Sequence, residues 1–327
     1  MKKILVIQTA SIGDVILATP VIEKLHHFYP DAKIDLLVKN GMTGLFTGHP
    51  FIHEILAWDK SSAKYRNFFH ILRNVRRNGY DAVINLQRFA MTGILTACSG
   101  AGMRIGFSKN PLSFFFTQKI PHEIKEGVHE IERNLRLIES ITSPGSFMPK
   151  LYPSSNDIEH TKQYKTGRYI TISPASLWFT KQFPAQKWEE LIMKTDPSVT
   201  IYLLGSKADG VLCEDIRMRS NPEIVVNLAG SLSFLESAGL MKDAVMNFTN
   251  DSAPMHLASA VNAPVTVIYC STVPSFGFGP LSDDSAIIET REKLDCRPCG
   301  LHGYNTCPEK HFRCALTIDA DQLTSRV

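Results

Sequence analysis

The feature that most constrains this chain is an alternation that occurs twice. β-rich runs at Lys3–Gln8, Lys33–Val38, Glu54–Ala57 and Asp81–Leu86 are separated by segments of helix length. The pattern restarts at Tyr169–Ser173, Thr200–Leu204, Ile224–Val226, Val245–Phe248 and Val265–Tyr269. A helix between two strands carries the chain back across the sheet, so successive strands run in the same direction and a parallel sheet with crossover helices follows. Between the two series, residues 143–167 hold Pro144, Gly145, Pro149, Pro153, Ser154, Ser155 and Asn156, which no single helix or strand accommodates. The expected architecture is therefore α/β, with two Rossmann-like, doubly wound domains over 1–155 and 156–327. Ligands are expected at the carboxyl ends of the strands and in the cleft between the domains. There is no internal repeat and no low-complexity tract.

Composition narrows the class. The chain has 327 residues, and at roughly 150 residues per domain each half can bury its own core. With 44% hydrophobic and 20% charged residues it is an ordinary globular composition, and no run approaches the ~20 apolar residues that span a bilayer. Met1–Ile7 enters an apolar stretch too short for a signal peptide, which points to the cytoplasm. Seven cysteines, an odd number, speak against a fully paired secreted framework. The net charge of +3 conceals a split: residues 1–165 carry 21 Lys and Arg against 14 Asp and Glu, and residues 166–327 carry 14 against 18. A basic first half suits an anionic ligand or an anionic membrane surface, although scattered lysines on a solvated face give the same sum. Nothing in the pattern points to nucleic acid.

Three strand-to-helix turns carry candidate chemistry. The first strand runs into Gln8-Thr9-Ala10-Ser11-Ile12-Gly13-Asp14. Gly13 allows close backbone approach, the free N–H groups of a helix start favour an anion, and Asp14 is either an N-cap or a catalytic carboxylate. In the second half, Ser176, Thr180 and Lys181 follow a strand end, where a lysine supplies a point charge and a hydroxyl a hydrogen bond to phosphate; an ordinary surface lysine is the competing reading. The third turn, Asp251-Ser252-Ala253-Pro254-Met255-His256, opens a helix with proline in its first turn and presents N–H groups to a pyrophosphate, with His256 in reach of the same ligand or serving as a structural hydrogen-bonder. Neither a Walker loop nor a dinucleotide fingerprint is present; Gly100 and Gly102 are followed by Gly106, one residue too late.

Cys296, Cys299, Cys307 and Cys314 are spaced C-x2-C, x7, C-x6-C, which in isolation reads as a tetrahedral zinc site, but the second pair lacks the usual short spacing. Free thiols and a loop-closing disulfide stay open. Cys98, Cys213 and Cys270 lie among apolar residues and read as core fillers. Lys64–Asn78 reads as a helix with Tyr65, Phe68, Phe69, Leu72 and Val75 on one face and Lys64, Arg73, Arg76 and Arg77 around it, suited either to a core or to a membrane surface. Arg104–Phe107 reads as part of an acceptor-side loop leading to Phe114, Phe115 and Phe116, which form either a lipid contact or a buried strand.

The order and spacing of Ser11-Ile12-Gly13-Asp14 with Thr19-Pro20, of Lys181-Gln182-Phe183-Pro184, and of Asp251-Ser252-Ala253-Pro254-Met255-His256-Leu257-Ala258 resemble glycosyltransferase family 9 over nearly the whole chain. These are the ADP-heptose:lipopolysaccharide heptosyltransferases, and the cysteine tail resembles the heptosyltransferase II branch in particular. The resemblance implies a GT-B fold, an acceptor held by the first domain, an ADP-heptose donor held by the second, and neither cofactor nor catalytic metal. It also implies that Asp14 is the general base, with Ser11, Gly13 and Arg104 on the acceptor side. Lys181, helped by Ser176 and Thr180, would meet the donor phosphates, and Asp251, Ser252, Ala253, Met255 and His256 would line the pyrophosphate pocket.

The reaction implied is inverting transfer of a heptose to the lipopolysaccharide core or lipid A acceptor, at the cytoplasmic face of the inner membrane with peripheral contact to it. The family usually has glycine where this chain has Ala253, which motivates an alternative: a nucleotide-sugar-binding protein of the same fold with an altered donor or no turnover. A dehydrogenase is disfavoured by the missing fingerprint. In this fold a final helix often crosses back to the first domain, and the chain ends about where it would begin, so a short tail is expected.

Overall fold

The computed structural model describes residues 1–61 and 63–327. The chain divides into two compact units, Met1–Tyr152 and Pro153–Val327, three residues before the boundary expected from the proline-rich stretch. That stretch is not wholly irregular: a short helix, Ser155–Thr161, starts inside it because Ser154 and Asp157 form a reciprocal capping box.

The first unit holds strands β1 (Lys3–Ile7), β2 (Lys33–Lys39), β3 (Ile52–Trp58), β4 (Ala82–Asn85), β5 (Met103–Phe107) and β6 (Gln118–Ile120), in the order β3-β2-β1-β4-β5-β6. Every pairing is parallel. The second unit holds β7 (Tyr169–Ser173), β8 (Thr200–Leu203), β9 (Val225–Asn227), β10 (Met246–Asn250), β11 (Val265–Tyr269) and β12 (Ser285–Glu289), in the order β12-β11-β10-β7-β8-β9, again all parallel. Counted from its own first strand, the second sheet repeats the order of the first. Both are the doubly wound dinucleotide-fold order, in which the winding reverses beside the first strand and opens a crevice at the carboxyl ends there. The crevices lie between β1 and β4 in one unit and between β7 and β10 in the other.

Central strands of such sheets are covered on both faces, so Ile4–Ile7 is a continuous buried run rather than an alternating one. Strands β5, β6 and β12 escaped the sequence pattern for related reasons. Arg104 and Gly106 interrupt β5, β6 has three residues, and β12 is an edge strand with exposed positions. Arg104–Phe107 is therefore strand rather than acceptor loop. The phenylalanine run is a single 3-10 turn, Ser113–Phe115, with Phe114 and Phe115 exposed and Phe116 buried beside Gly106.

The helix Lys64–Asn78 forms as expected and stops at Gly79 in the left-handed conformation. Its buried face is Phe68, Ile71 and Val75, at positions i, i+3 and i+7, whereas Tyr65 and Phe69, expected on that face, stand in solvent. Cys213 and Cys270 are core residues; Cys98, expected among them, is exposed at the end of the helix Ala90–Ala97.

Candidate active site

The motif turns fall at the two crevices. In the first unit, the chain leaves β1 and enters a helix of a single turn, Ile12–Ile16. Asp14 Oδ2 accepts hydrogen bonds from the Ser11 N–H at 3.1 Å and the Ser11 hydroxyl at 2.5 Å, so this carboxylate does cap the helix. A carboxylate already occupies the helix start, and the expectation of a bound anion there is withdrawn. Asp14 Oδ1 takes no hydrogen bond among the described residues, so the same side chain caps with one oxygen and presents the other.

Behind the turn lies a polar network that the sequence reading missed. The Thr9 hydroxyl donates to Gln87 Oε1 at 2.9 Å, the Gln87 amide donates to Gln8 Oε1 at 2.6 Å, and Lys60 Nζ donates to the Thr9 hydroxyl at 2.7 Å and to its carbonyl at 3.2 Å. Lys60 sits over the Trp58 ring, and burial together with the charge of Lys39 lowers its pKa to about 8. Gln8, Gln87 and Lys60 each lie within two residues of a strand's carboxyl end; that position in a doubly wound sheet was the available signal.

Arg104 is not brought to this turn. Its guanidinium donates to the carbonyls of Ala101 at 2.6 Å and Phe115 at 3.0 Å, folding back toward the amino ends of the strands. It braces the β5–β6 connection instead.

In the second unit the Lys181 turn and the Asp251 turn interlock. Lys181 Nζ lies 2.6 Å from Asp251 Oδ2, which also accepts the Thr272 hydroxyl at 2.6 Å. Asn250, fully buried at the end of β10, accepts from the Phe183 N–H and donates to the Pro174 carbonyl, which ties the lysine turn to the helix start. Phe183 packs edge to face on Trp188 at 5.1 Å. Asp251 thus orients Lys181 rather than facing a phosphate itself, since two anions repel.

Beyond it the helix Ala253–Ala260 begins, and its first N–H groups lack intrahelical acceptors. Ala253 has an ordinary helical conformation, so glycine's backbone freedom is not required there. Ser252 is half-buried at the N-cap and His256 is buried in the first turn. Met255 is a core residue, its sulfur 3.5 Å from the Tyr269 hydroxyl, so its side chain does not line the turn.

Ser176 is half-buried in the loop, its carbonyl accepting from Gln182. Thr180 is buried, and its hydroxyl oxygen accepts from the Tyr304 N–H at 2.8 Å and from Ser271 at 3.0 Å. It is a brace rather than a phosphate ligand.

The brace connects Lys181 to the cysteine tail. Gly303 has φ +78°, and a Cβ there would lie 2.8 Å from the Thr180 hydroxyl and 3.1 Å from Lys181 Cγ. Gly303→Ala is therefore expected to shift the lysine and weaken ADP binding roughly tenfold, the equivalent of about 1.4 kcal/mol. An unchanged affinity by calorimetry would show that tail and lysine are not coupled.

All seven cysteines are free thiols. Cys296, Cys299, Cys307 and Cys314 face one cavity of about 200 Å³ together with His311, and burial pushes the Cys314 thiol up to about 12. Ligand atoms of three residues come within coordinating distance in one place only among the described residues, at Asp35, His53 and Glu54. There the Asp35 carboxylate is already taken by Lys3, His53 and Tyr80.

A model of glycosyltransferase family 9 (heptosyltransferase) matches residues 68–304, well over half of the chain. The chain belongs to glycosyltransferase family 9. Among curated family 9 proteins it is 28% identical to lipopolysaccharide heptosyltransferase 3 of Escherichia coli, over 80% of each chain. It is 27% identical to lipopolysaccharide heptosyltransferase 1 of Campylobacter coli, over 89% of this chain and 90% of the relative. Its fold matches E. coli ADP-heptose lps heptosyltransferase II with a TM-score of 0.82 at 21% identity, covering 100% of this chain and 97% of the other. It matches a family 9 glycosyl transferase of Veillonella parvula with a TM-score of 0.87 at 19% identity, covering 99% and 96%. The relatives divide among heptosyltransferases 3, 1 and 2, so the family is shown while the II branch is not singled out.

Proposed function

We propose that this family 9 protein is an inverting glycosyltransferase that moves a heptose from ADP-heptose to a sugar hydroxyl of the lipopolysaccharide inner core, without a catalytic metal. The observation that carries the reading is the pair of crevices: one presents a carboxylate oxygen at Asp14, the other an ammonium at Lys181 beside an open helix start. Asp14 takes the proton from the acceptor hydroxyl as that oxygen attacks the anomeric carbon and the bond to the ADP oxygen breaks. Lys181, aimed by Asp251, and the N–H groups opening Ala253–Ala260 stabilise the charge gathering on the departing diphosphate. The first unit serves the acceptor and the second the donor.

The test is a calorimetric donor screen with ADP, UDP and GDP, paired with product analysis on inner-core acceptor. ADP preference with heptosylated product is expected. Preference for UDP would overturn the donor assignment, and tight ADP binding without product would leave a binding protein.

No helix among the described residues is long and apolar enough to cross a membrane. The reading places the enzyme at the cytoplasmic face of the inner membrane, supported by the helix Lys64–Asn78, where exposed Tyr65 and Phe69 lie among Lys64, Arg66 and Arg73. Exposed charges more than about 8 Å apart are largely screened at physiological salt, so only clustered side chains matter. An Arg73/Arg76/Arg77 triple alanine variant is expected to lose the salt-dependent part of association with anionic vesicles. Wild-type salt dependence in the variant would make this helix an ordinary solvated face.

A further inference from the structure

We infer that Asn134 is a positioning residue for Asp14: its buried amide holds the far end of the one-turn helix that carries the carboxylate, and so fixes where Asp14 Oδ1 stands. The inference rests on the reading of Asp14 as the proton acceptor and adds the group that keeps it in place.

The need for such a group comes from the length of the helix. Ile12–Ile16 has five residues, and the first turn of a helix fixes several backbone angles for each hydrogen bond it gains, so a helix that ends there has little stability of its own. The Val15 N–H donates to the Ser11 carbonyl at 3.1 Å and the Leu17 N–H to the Gly13 carbonyl at 2.9 Å. The amino end is capped by Ser11 and Asp14 themselves. The carbonyls at the carboxyl end need donors from outside the helix. The Thr19 hydroxyl donates to the Ile16 carbonyl at 2.7 Å and accepts from the Lys150 N–H at 3.0 Å. The carbonyl of Leu17, the C-cap, accepts from the Asn134 amide at 3.3 Å.

Asn134 lies 117 residues further along the chain, on the helix Glu130–Arg136, whose first turn is itself anchored. His129 Nδ1 accepts from the Ile131 N–H at 3.2 Å, and the Glu132 carboxylate accepts from the His129 N–H at 3.3 Å. Arg133 joins Glu130 at 2.7 Å and donates to the Val128 carbonyl at 2.7 Å. Burial, opposed by Arg133, raises the pKa of the Glu130 carboxyl, and the charge of Asp14 raises it further. Asp14 and the first turn of this helix are therefore neighbours.

Asn134 is fully buried, and its Oδ1 has no hydrogen-bond partner. Packing alone favours leucine, which has similar bulk and no amide to strip of water. A buried polar atom left unmet calls for an explanation. Here the donor end of the same amide is committed to the Leu17 carbonyl, and that bond is what the asparagine supplies.

The experiment compares two variants on one helix. Asn134→Leu removes the donor at nearly constant volume. It is expected to lower kcat about 10- to 100-fold, as a misplacement of ~1 Å does, with ADP affinity and acceptor KM within a factor of about two. Leu135→Ala truncates a buried neighbour; it should lower the melting temperature at least as much and leave kcat unchanged. The same Asn134→Leu change is then made in Asp14→Asn, where it should cost little further turnover because its effect passes through the missing base. An unchanged kcat in Asn134→Leu, an equal loss in Leu135→Ala, or an undiminished loss in the Asp14→Asn background would overturn the inference.

A second measurement needs no turnover. Amide hydrogen exchange at Val15 and Leu17, whose N–H groups close the one-turn helix, is expected to quicken about tenfold or more relative to β1 amides in Asn134→Leu, and to keep its wild-type ratio to them in Leu135→Ala. Where product forms, the kinetics decide. Where the wild type forms none, the transfer reading fails, and exchange alone decides whether Asn134 holds the turn.

Discussion

Asp14→Asn is expected to reduce turnover by about 10² to 10⁴, equivalent to roughly 3 to 5 kcal/mol of barrier, while ADP binding stays within a factor of two or so. Asparagine is the informative replacement because Asp14 does two things. Its Oδ2 accepts the Ser11 N–H and hydroxyl, and an asparagine carbonyl oxygen can accept the same two bonds. The cap survives and only the proton acceptor is lost. Asp14→Ala removes both, so it should show the same loss of turnover with an added stability cost of ~1 kcal/mol, the usual worth of a cap. ADP affinity is expected to be insulated because Lys181 and the helix start at Ala253, to which the proposed reaction assigns the donor, belong to the other unit. Steady-state kinetics, calorimetry and thermal unfolding of the two variants separate the roles. If asparagine retained near wild-type turnover, Asp14 would be a cap alone, and the base would have to be sought elsewhere at the β1 and β4 ends.

Much of this site was legible because strand-to-helix turns have a local signature. Asp251 directly follows β10, and Asp14 and Lys181 lie in the turns that follow β1 and β7; in a parallel sheet the turn after a strand's carboxyl end is placed by the fold itself. What stayed hidden depends on partners far away in sequence. Nothing around Asp251 shows that its carboxylate is shared between Lys181 and Thr272, seventy residues before it and twenty-one after it. Thr180 looked like a phosphate ligand until its hydroxyl was found beneath Tyr304 and Ser271. Met255 looked like part of the lining, but a helix buries one face, and that face is where it falls. Arg104 was misread for want of a strand: with β5 interrupted by Arg104 and Gly106, neither its apolar run nor its direction could be recognised. Asp14 and Lys181 can be picked out from local sequence, whereas the groups that hold them still are set by tertiary structure.

Lys181→Ala is expected to weaken ADP binding about 10- to 100-fold and to lower turnover with it, because a phosphate contact acts on the bound donor and on the leaving group alike. The same change also strips the ammonium from Asp251, a residue 7% exposed whose carboxylate keeps only the Thr272 hydroxyl. Removing one partner of a buried pair leaves an uncompensated charge, and since Lys181 keeps some access to water the cost is set at up to about 3 kcal/mol. A drop in ADP affinity alone is therefore ambiguous between a lost contact and a disturbed loop. The double variant Lys181→Ala/Asp251→Asn resolves it, because a neutral amide there can still accept from Thr272 and no longer needs a counter-charge. Its melting temperature should recover toward the wild-type value while ADP affinity stays low. Recovery of both together would mean that the lysine serves only to neutralise Asp251, and the diphosphate would then be held by the helix start at Ala253 without it.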